Sequence, residues 1–564
     1  MFFRRTAVSL CAAVATGLSI APAHAAVVAE PITHSAPGAA LSVTPIGSYE
    51  SGIFDASAAE IVAYHAASER VLTVNARSGS IDLLDIADPT SPQKVGEVSG
   101  GAGTTINSVA VRADGLAVAT VEPTTKTDPG RVIFFDAAGN GSVLGSLPVG
   151  ALPDMVAITG DGRYALVANE GEPAEDYSID PEGSVSVITL PEGVRAATEV
   201  RTADFHNYNA PGALPEGVRI FGQIGDSETV AQNLEPEYVT ISGDKAYVSL
   251  QENNAIAVVD IRTATVEDIF PLGTVDLGDV PMDISDKDGG INIANWPIKS
   301  FRLPDAIESY SAGGATYIVT ANEGDARDWD GYSEESRLKG LGRNGVAPIC
   351  EGYVDDIAEL QKDENAGRLN ITLAEGLNGD GTCYEQIYSY GGRGFSIFDH
   401  TGNLVFNSDD SFEKILAEAV PEYFNSNHSE SNLEGRSDDK GPEPEGVALG
   451  EIDGRTYAFI GLERIGGVMV YDISDPSAAT FVTYVNNRDF SVSMEDEADQ
   501  AAALPKAGDL GPEGLVFIPA TDSPNGKNLL VVGNEVSGTT TIFRIDDLPG
   551  GGFSRPEVSS LSSR

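Results

Sequence analysis

Gly441-Pro442-Glu443-Pro444-Glu445-Gly446-Val447 opens an apolar stretch that ends, one hairpin later, at Leu462-Glu463-Arg464. The same order of residue types runs from Gly511-Pro512-Glu513-Gly514-Leu515 to Gly533-Asn534-Glu535, and from Glu235-Pro236-Glu237-Tyr238 to Gln251-Glu252. Looser copies run from Pro153-Asp154-Met155 to Asn169-Glu170 and from Pro304-Asp305-Ala306 to Asn322-Glu323. Two worn copies, Ala59-Glu60-Ile61 to Asn75-Ala76 and Ile106-Asn107-Ser108 to Val121-Glu122, complete a set of seven. In each copy an acid or amide opens one apolar strand and a second polar position closes the next, 15 to 22 residues later.

A third apolar strand follows most copies, as in Ile81–Ile86, Arg131–Asp136, Ala255–Ile261, Gly467–Ile473 and Thr539–Ile545. Short β-branched runs separated by Gly, Asn and Asp turns are strand chemistry. A repeat of three or four strands that cannot bury both of its faces alone is the pattern of propeller blades. The expected fold is therefore all-β, a seven-bladed β-propeller of the WD40/YVTN-like kind spanning residues 42–547, with a solenoid or two packed sandwiches as the competing architectures. The isolated strand Ser42–Tyr49 is expected to complete the last blade and so remove a free sheet edge.

The chain has 564 residues, with 85 acidic against 35 basic side chains, a formal net charge of −50. Such a surface repels nucleic acid and anionic membranes and attracts cations. Residues 1–25 read as an export signal: Arg4-Arg5, an apolar run from Ala7 to Ile20, and Ala23-His24-Ala25 as the cleavage site. The expectation is secretion to the cell envelope or exterior, a flexible leader over 26–41, a disordered tail over 548–564, and no transmembrane segment. Cys350 and Cys383 remain after signal removal, and an isolated pair in an oxidising compartment points to a disulfide. Both fall in a long insertion of the fifth repeat, about 324–386, with a second excursion at about 409–440. Insertions on one face of a repeat fold are the usual carriers of specificity.

In a propeller the start of each innermost strand and the end of the next lie on one face. Glu60, Asp154, Glu237, Asp305, Glu445 and Glu513 are thereby expected in one ring, and Glu122, Glu170, Glu252, Glu323, Glu463 and Glu535 in a second. So many carboxylates cannot all stay ionised and unpaired. Either several are protonated, or cations sit among them, hard oxygen ligands favouring calcium, or magnesium as the alternative. The third solution is architectural, each acid capping its own turn by accepting backbone N–H bonds. Arg393 and Arg464 stand out as candidate ligands for a phosphorylated or anionic small molecule. Asp286-Lys287-Asp288-Gly289, after Asp283, and Asp328-Trp329-Asp330-Gly331, after Asp325, are degenerate calcium-loop matches. No nucleophile elbow, phosphate loop, dinucleotide fingerprint or zinc spacing is present in a fitting context.

Asn292-Ile293-Ala294-Asn295-Trp296-Pro297, Ala321-Asn322-Glu323-Gly324-Asp325-Ala326-Arg327-Asp328, Lys440 to Gly446, and Asn534-Glu535-Val536-Ser537-Gly538-Thr539 resemble the choice-of-anchor I family. That family is similar to mesenchyme-specific cell-surface glycoproteins. The resemblance covers about Gly47 to Ile545 and implies an exported propeller. Some relatives carry an alkaline-phosphatase label, which implies a phosphoesterase alternative. The sequence shows no hydrophobic anchor near Leu548-Pro549-Gly550-Gly551-Gly552, so release is expected. Two functions follow as expectations: an exported calcium-binding propeller serving as a binding or scaffold module, or a metal-dependent phosphoesterase of the alkaline phosphatase or phytase kind on the same acidic face.

Overall fold

A computed structural model describes residues 27–222 and 229–548. The export signal at 1–25 and the tail from 549 onward lie outside the described residues. The chain is all-β and propeller-like, with few and short helices. Seven of its antiparallel sheets have four or more strands. In chain order their innermost strands are Val62–His65, Val109–Val111, Pro153–Ile158, Pro236–Ser242, Ile307–Ala312, Pro444–Ile452 and Pro512–Ile518.

An apolar cluster lies between each sheet and the next. Leu72 and Leu83 of the first sheet pack with Ala117 and Phe135 of the second, and Val118 and Phe134 of the second with Val167 of the third. The series continues through Val187 with Val248, Ile256 with Ile318, Ile397 with Ile460, and Phe459 with Leu530. Val71 and Leu84 of the first sheet then pack with Leu529 and Val531 of the seventh. Because both faces of each sheet are covered, the second and third strands are continuous apolar runs rather than alternating ones, as in Leu116–Val121.

Leu41–Glu50 pairs with Thr539–Asp547 as the outer strand of the seventh sheet, which agrees with the sequence reading. The reading of 26–41 as a flexible leader needs correction. Ile32–Ser35 forms a fifth strand on the sixth sheet, paired with Thr483–Asn486. The pairing gives this edge a partner that a four-residue segment without clear alternation did not announce.

The fifth sheet is interrupted between Ala315–Ala321 and Phe395–Asp399. The intervening insertion has its own core, where Leu338, Leu360, Leu369 and Ile371 pack with Leu277, Met282 and Ile298 from the neighbouring excursion. Cys350 and Cys383 form a disulfide across a separation of 33 residues, their Cα atoms 4.9 Å apart. The insertion and the second excursion carry the short helices Ile357–Leu360 and Ser411–Ala419. No helix among the described residues is long and apolar enough to cross a membrane.

Candidate metal centre

The Pro-acid motif aims its carboxylate by a one-residue β-bulge. Pro444 pairs with Leu462, and pairing resumes at Val447 with Ile460, three steps on one strand against two on the other. The same slip occurs at Pro153 to Val156, Pro236 to Val239 and Pro512 to Leu515. The extra residue takes the acid out of the ladder's alternation and re-aims it. The residue before the proline is left-handed in several copies, at φ 42° for Leu152, 43° for Leu303, 50° for Glu443 and 67° for Gly511. The carbonyls of Leu152, Glu443 and Gly511 accept the N–H of Glu170, Glu463 and Glu535, so each turn also positions an acid of the second ring. Glycine after the acid permits close approach of the next sheet: a Cβ on Gly446 would lie 1.7 Å from the Glu513 carbonyl oxygen.

Nine of the expected acids line one open cavity of about 300 Å³. Asp154, Glu237, Asp305, Glu445 and Glu513 come from the first ring, and Glu170, Glu252, Glu323 and Glu463 from the second. Glu60 and Glu535 stand beside Glu513, the three offering carboxylate oxygens within 4.8 Å of one another. Three further triplets among the described residues meet the same spacing, Glu170 with Glu237 and Glu252, Glu323 with Glu443 and Glu463, and His428 with Glu463 and Glu535. Glu122 sits at the side, where its carboxylate accepts from Asn107 at 3.5 Å.

The architectural alternative fits only in part. Asp305 accepts a bond from the Ala306 N–H of its own turn. By contrast, one carboxylate oxygen of each of Glu237, Glu252, Glu445, Glu463 and Glu513 is buried without a hydrogen-bond partner. Unpartnered buried oxygens of this kind are costly unless protons or cations meet them. An all-carboxylate donor set of this density fits a hard divalent cation, calcium or magnesium.

The electrostatics agree with the crowding. Burial, followed by neighbouring acids, pushes Asp154 up to about 7, and burial pushes Glu252 and Glu535 to about 7. Burial and like charge also hold Glu60, Glu170, Glu237, Asp305, Glu445 and Glu513 well above the carboxylate range. Glu443 goes the other way. Burial would raise it, but Lys440, Arg436 and Arg464 together hold it well below its ordinary value.

Arg464 lies on the cavity wall, donating to Glu443 at 2.9 Å and pairing with Glu463 at 2.7 Å. Arg393 does not. Its buried guanidinium is committed to Glu413 at 2.7 Å and to the carbonyls of Asp283, Ser437 and Asp439, so it is a strut and not a wall residue of the cavity. Asp328 and Trp329 pair with Ser333 and Tyr332, which makes that calcium-loop match an Asp-Gly hairpin turn.

Sequence reasoning missed Glu172, Asp325 and Lys440 on the wall, and Glu443 and His428 next to it. Lys440 reaches Glu323 at 2.9 Å and Asp325 at 3.4 Å. His428 Nδ1 is 2.8 Å from Arg464 and 3.5 Å from Glu463. The signal available for Glu443 was its recurrence: Glu235 stands at the same place before Pro236, while three other copies put Leu152, Leu303 and Gly511 there.

The family model of the choice-of-anchor I domain matches residues 60–476, which holds six of the seven inner strands. The chain belongs to the choice-of-anchor I family. Its similarity extends to the mesenchyme-specific cell surface glycoprotein of Strongylocentrotus purpuratus, 30% identical over 314 residues, covering 49% of this chain and 40% of the glycoprotein. Gigasin-3a of Magallana gigas is 31% identical over 200 residues, 34% of this chain and 69% of gigasin-3a. This choice-of-anchor I chain thus matches less than half of the glycoprotein's length. Among solved structures, Kuenenia stuttgartiensis hydrazine synthase aligns at TM-score 0.43 and 15% identity over 88% of this chain and 99% of that one. The WD40 domain of Toxoplasma gondii coronin aligns at TM-score 0.42 and 9% identity over 91% of this chain and 88% of that one.

Proposed function

We propose that this choice-of-anchor I protein is an exported seven-bladed propeller, closed by the strand Leu41–Glu50, that binds calcium on its acidic face. In this reading it acts as a binding or scaffold module at the cell surface or outside the cell. The observation that carries the metal is the set of unpartnered buried oxygens on Glu237, Glu252, Glu445, Glu463 and Glu513, all on one cavity wall. Names among its relatives, a cell surface glycoprotein foremost, support the extracellular setting. Magnesium is the alternative ion, and the cavity's open, multi-oxygen wall suits calcium's larger and more flexible coordination. Calorimetric titration of mature protein with calcium and with magnesium tests the reading. Saturable calcium binding weakened in Glu445→Gln and Glu513→Gln is expected, and absence of calcium binding to the unaltered protein would overturn it.

A second reading, a metal-dependent phosphoesterase, is favoured by one observation: Arg464 and Lys440 lie on the same wall as the acids. A bound divalent ion would supply Lewis-acid polarisation of a phosphoryl oxygen. The chain's own part would be to orient the anion with these two cationic side chains. Turnover of phosphomonoesters or diesters that requires calcium and is lost in Arg464→Ala would favour it over the binding module.

A further inference from the structure

The triplets of converging acids differ in one respect: built-in cations serve some of them. Lys440 pairs with Glu323 at 2.9 Å and Glu443 at 3.4 Å, and Arg464 pairs with Glu443 at 2.9 Å and Glu463 at 2.7 Å. Arg464 also reaches His428 at 2.8 Å, so the triplet of His428, Glu463 and Glu535 shares that guanidinium. Glu60, Glu513 and Glu535 are only partly buried, which leaves them open to water. Glu170, Glu237 and Glu252 have neither remedy. They are 8%, 6% and 7% exposed, and all three line the cavity. Among the described residues no basic side chain forms an ion pair with any of them, since Lys126 is engaged by Glu172 at 2.8 Å and Arg327 by Glu235 at 2.6 Å. One oxygen of Glu237 and one of Glu252 are buried without a hydrogen-bond partner.

The backbone that carries this triplet also carries the insertion of the fifth sheet. Arg327, at the root of the insertion and 2% exposed, donates to the Glu235 carboxylate at 3.1 Å and to the Asn233 carbonyl at 2.9 Å. Glu235 stands two residues before Glu237, at the entry to the bulge between Pro236 and Val239. Arg219 is a second strap. It donates to the carbonyl of Glu252 at 2.8 Å, and to Glu334 at 2.5 Å and Glu375 at 2.9 Å, both insertion residues. Glu334 also accepts the N–H of Arg327 at 3.3 Å, so the two straps meet on the insertion. Buried charge-assisted bonds of this kind are strong and directional. Any movement that parts Glu237 from Glu252 therefore pulls on both.

We propose, resting on the reading that this face binds calcium, that Glu170, Glu237 and Glu252 hold one ion that fastens the 324–386 insertion to the propeller face. Without it, three buried carboxyl groups offering oxygens within 4.8 Å of one another repel when ionised. That repulsion is relieved by separating the Pro236 bulge from the turn at Glu252, the two points where the straps attach. A divalent ion among the three reverses the sign of the interaction, so it binds the fastened arrangement better than the loosened one and shifts the population toward it. The coupling is reciprocal: the straps that hold the insertion also hold the ligands together for the ion. An all-carboxylate donor set suits calcium better than zinc or copper.

Amide hydrogen exchange of the mature protein, read by mass spectrometry across a calcium titration at pH 8, tests the inference. Calcium is expected to slow exchange at the root of the insertion, residues 324–337, by about tenfold relative to chelator. Glu237→Gln and Glu252→Gln are expected to raise the calcium concentration that gives half of this protection by about tenfold. In chelator the same two variants should exchange more slowly at the root than the unaltered chain, because a carboxamide removes the repulsion, whereas mere structural damage would speed exchange. Glu451→Gln, an exposed acid near the far end of Pro444–Ile452, should leave the midpoint in place. Should either cavity variant fail to fold by circular dichroism, Glu170→Gln decides. Calcium binding seen by calorimetry with no change of exchange at 324–337 would overturn the inference and leave the calcium reading standing. Protection whose midpoint the variants do not move would do the same. Absence of calcium binding to the unaltered protein would overturn both.

Discussion

The N–H of Glu463 donates to the carbonyl of Glu443, which hangs an acid of the second ring from the left-handed residue preceding Pro444. Glu170 is tied to Leu152 and Glu535 to Gly511 in the same way. One proline turn therefore does two jobs: its bulge aims the acid that follows, and its carbonyl fixes an acid at the end of the next strand. The two rings are a single backbone device repeated around the face.

That coupling makes the small residue after the acid sensitive. A Cβ at Gly446 meets backbone, not a flexible side chain, 1.7 Å from the Glu513 carbonyl oxygen. Gly446→Ala is expected to lower stability by about 2 kcal/mol or more, because the neighbouring strand must move. Calcium affinity should fall with it, since Glu445 and Glu513 lose their mutual placement. Chemical denaturation and calorimetry on the same preparation check both, and an unchanged affinity would separate the turn from the site.

Removing a crowded carboxylate has opposite effects with and without calcium. Burial, Glu463 and Glu513 all oppose ionisation of Glu445. Glu445→Gln is expected to raise the melting temperature in chelator at pH 8, and to weaken calcium binding by about tenfold, equivalent to about 1.4 kcal/mol. Thermal melts with chelator and with calcium read both signs. A variant that is less stable in both conditions would mean the acid is a structural cap instead.

Much of this was legible because the informative residues repeat. Pro-acid at a strand start and acid at the end of the next strand recur often enough to locate the sheets and to place nine acids on one wall. What does not repeat was hidden. Lys440 occupies a single copy, and Ile32–Ser35 becomes a strand only through its partner Thr483–Asn486. Arg393 misled for the complementary reason: its residue type suggested an anion ligand, but its burial against Glu413 is a tertiary fact.

The two arginines are accordingly expected to separate. Arg393→Ala leaves Glu413 buried and unpaired, which should cost about 3–5 kcal/mol of stability. Its calcium affinity at the cavity should be unchanged in the fraction that folds. Arg464→Ala removes a rim cation beside Glu443 and Glu463 and should alter cation binding with a smaller loss of stability. Equal effects on binding from both variants would contradict the assignment of Arg393 as a strut.

The disulfide acts on the insertion alone. Replacing Cys350 and Cys383 by serine is expected to destabilise this segment by about 3 kcal/mol, from the chain freedom restored to its unfolded state. Limited proteolysis should cut within 324–386 while the seven-sheet body stays intact. Cooperative loss of the whole protein at the same denaturant concentration would instead show that insertion and body unfold together.

The last prediction concerns pH. Asp154, Glu252 and Glu535 are pushed up to about 7, chiefly by burial, from an unfolded-state value of about 4. A folded-state pKa raised in this way contributes stability that is fully present below about pH 4 and is lost as pH rises through about 7. In chelator the melting temperature should therefore fall between pH 5 and pH 8, by at least about 3 °C. Calcium competes with those protons, so the stabilisation it adds should grow over the same interval. Melts across this range, with chelator and with calcium, give two curves that diverge toward high pH. Parallel curves would mean that calcium does not bind at the titrating acids, and a chelated curve that rises with pH would mean that the acids are ionised and satisfied without it.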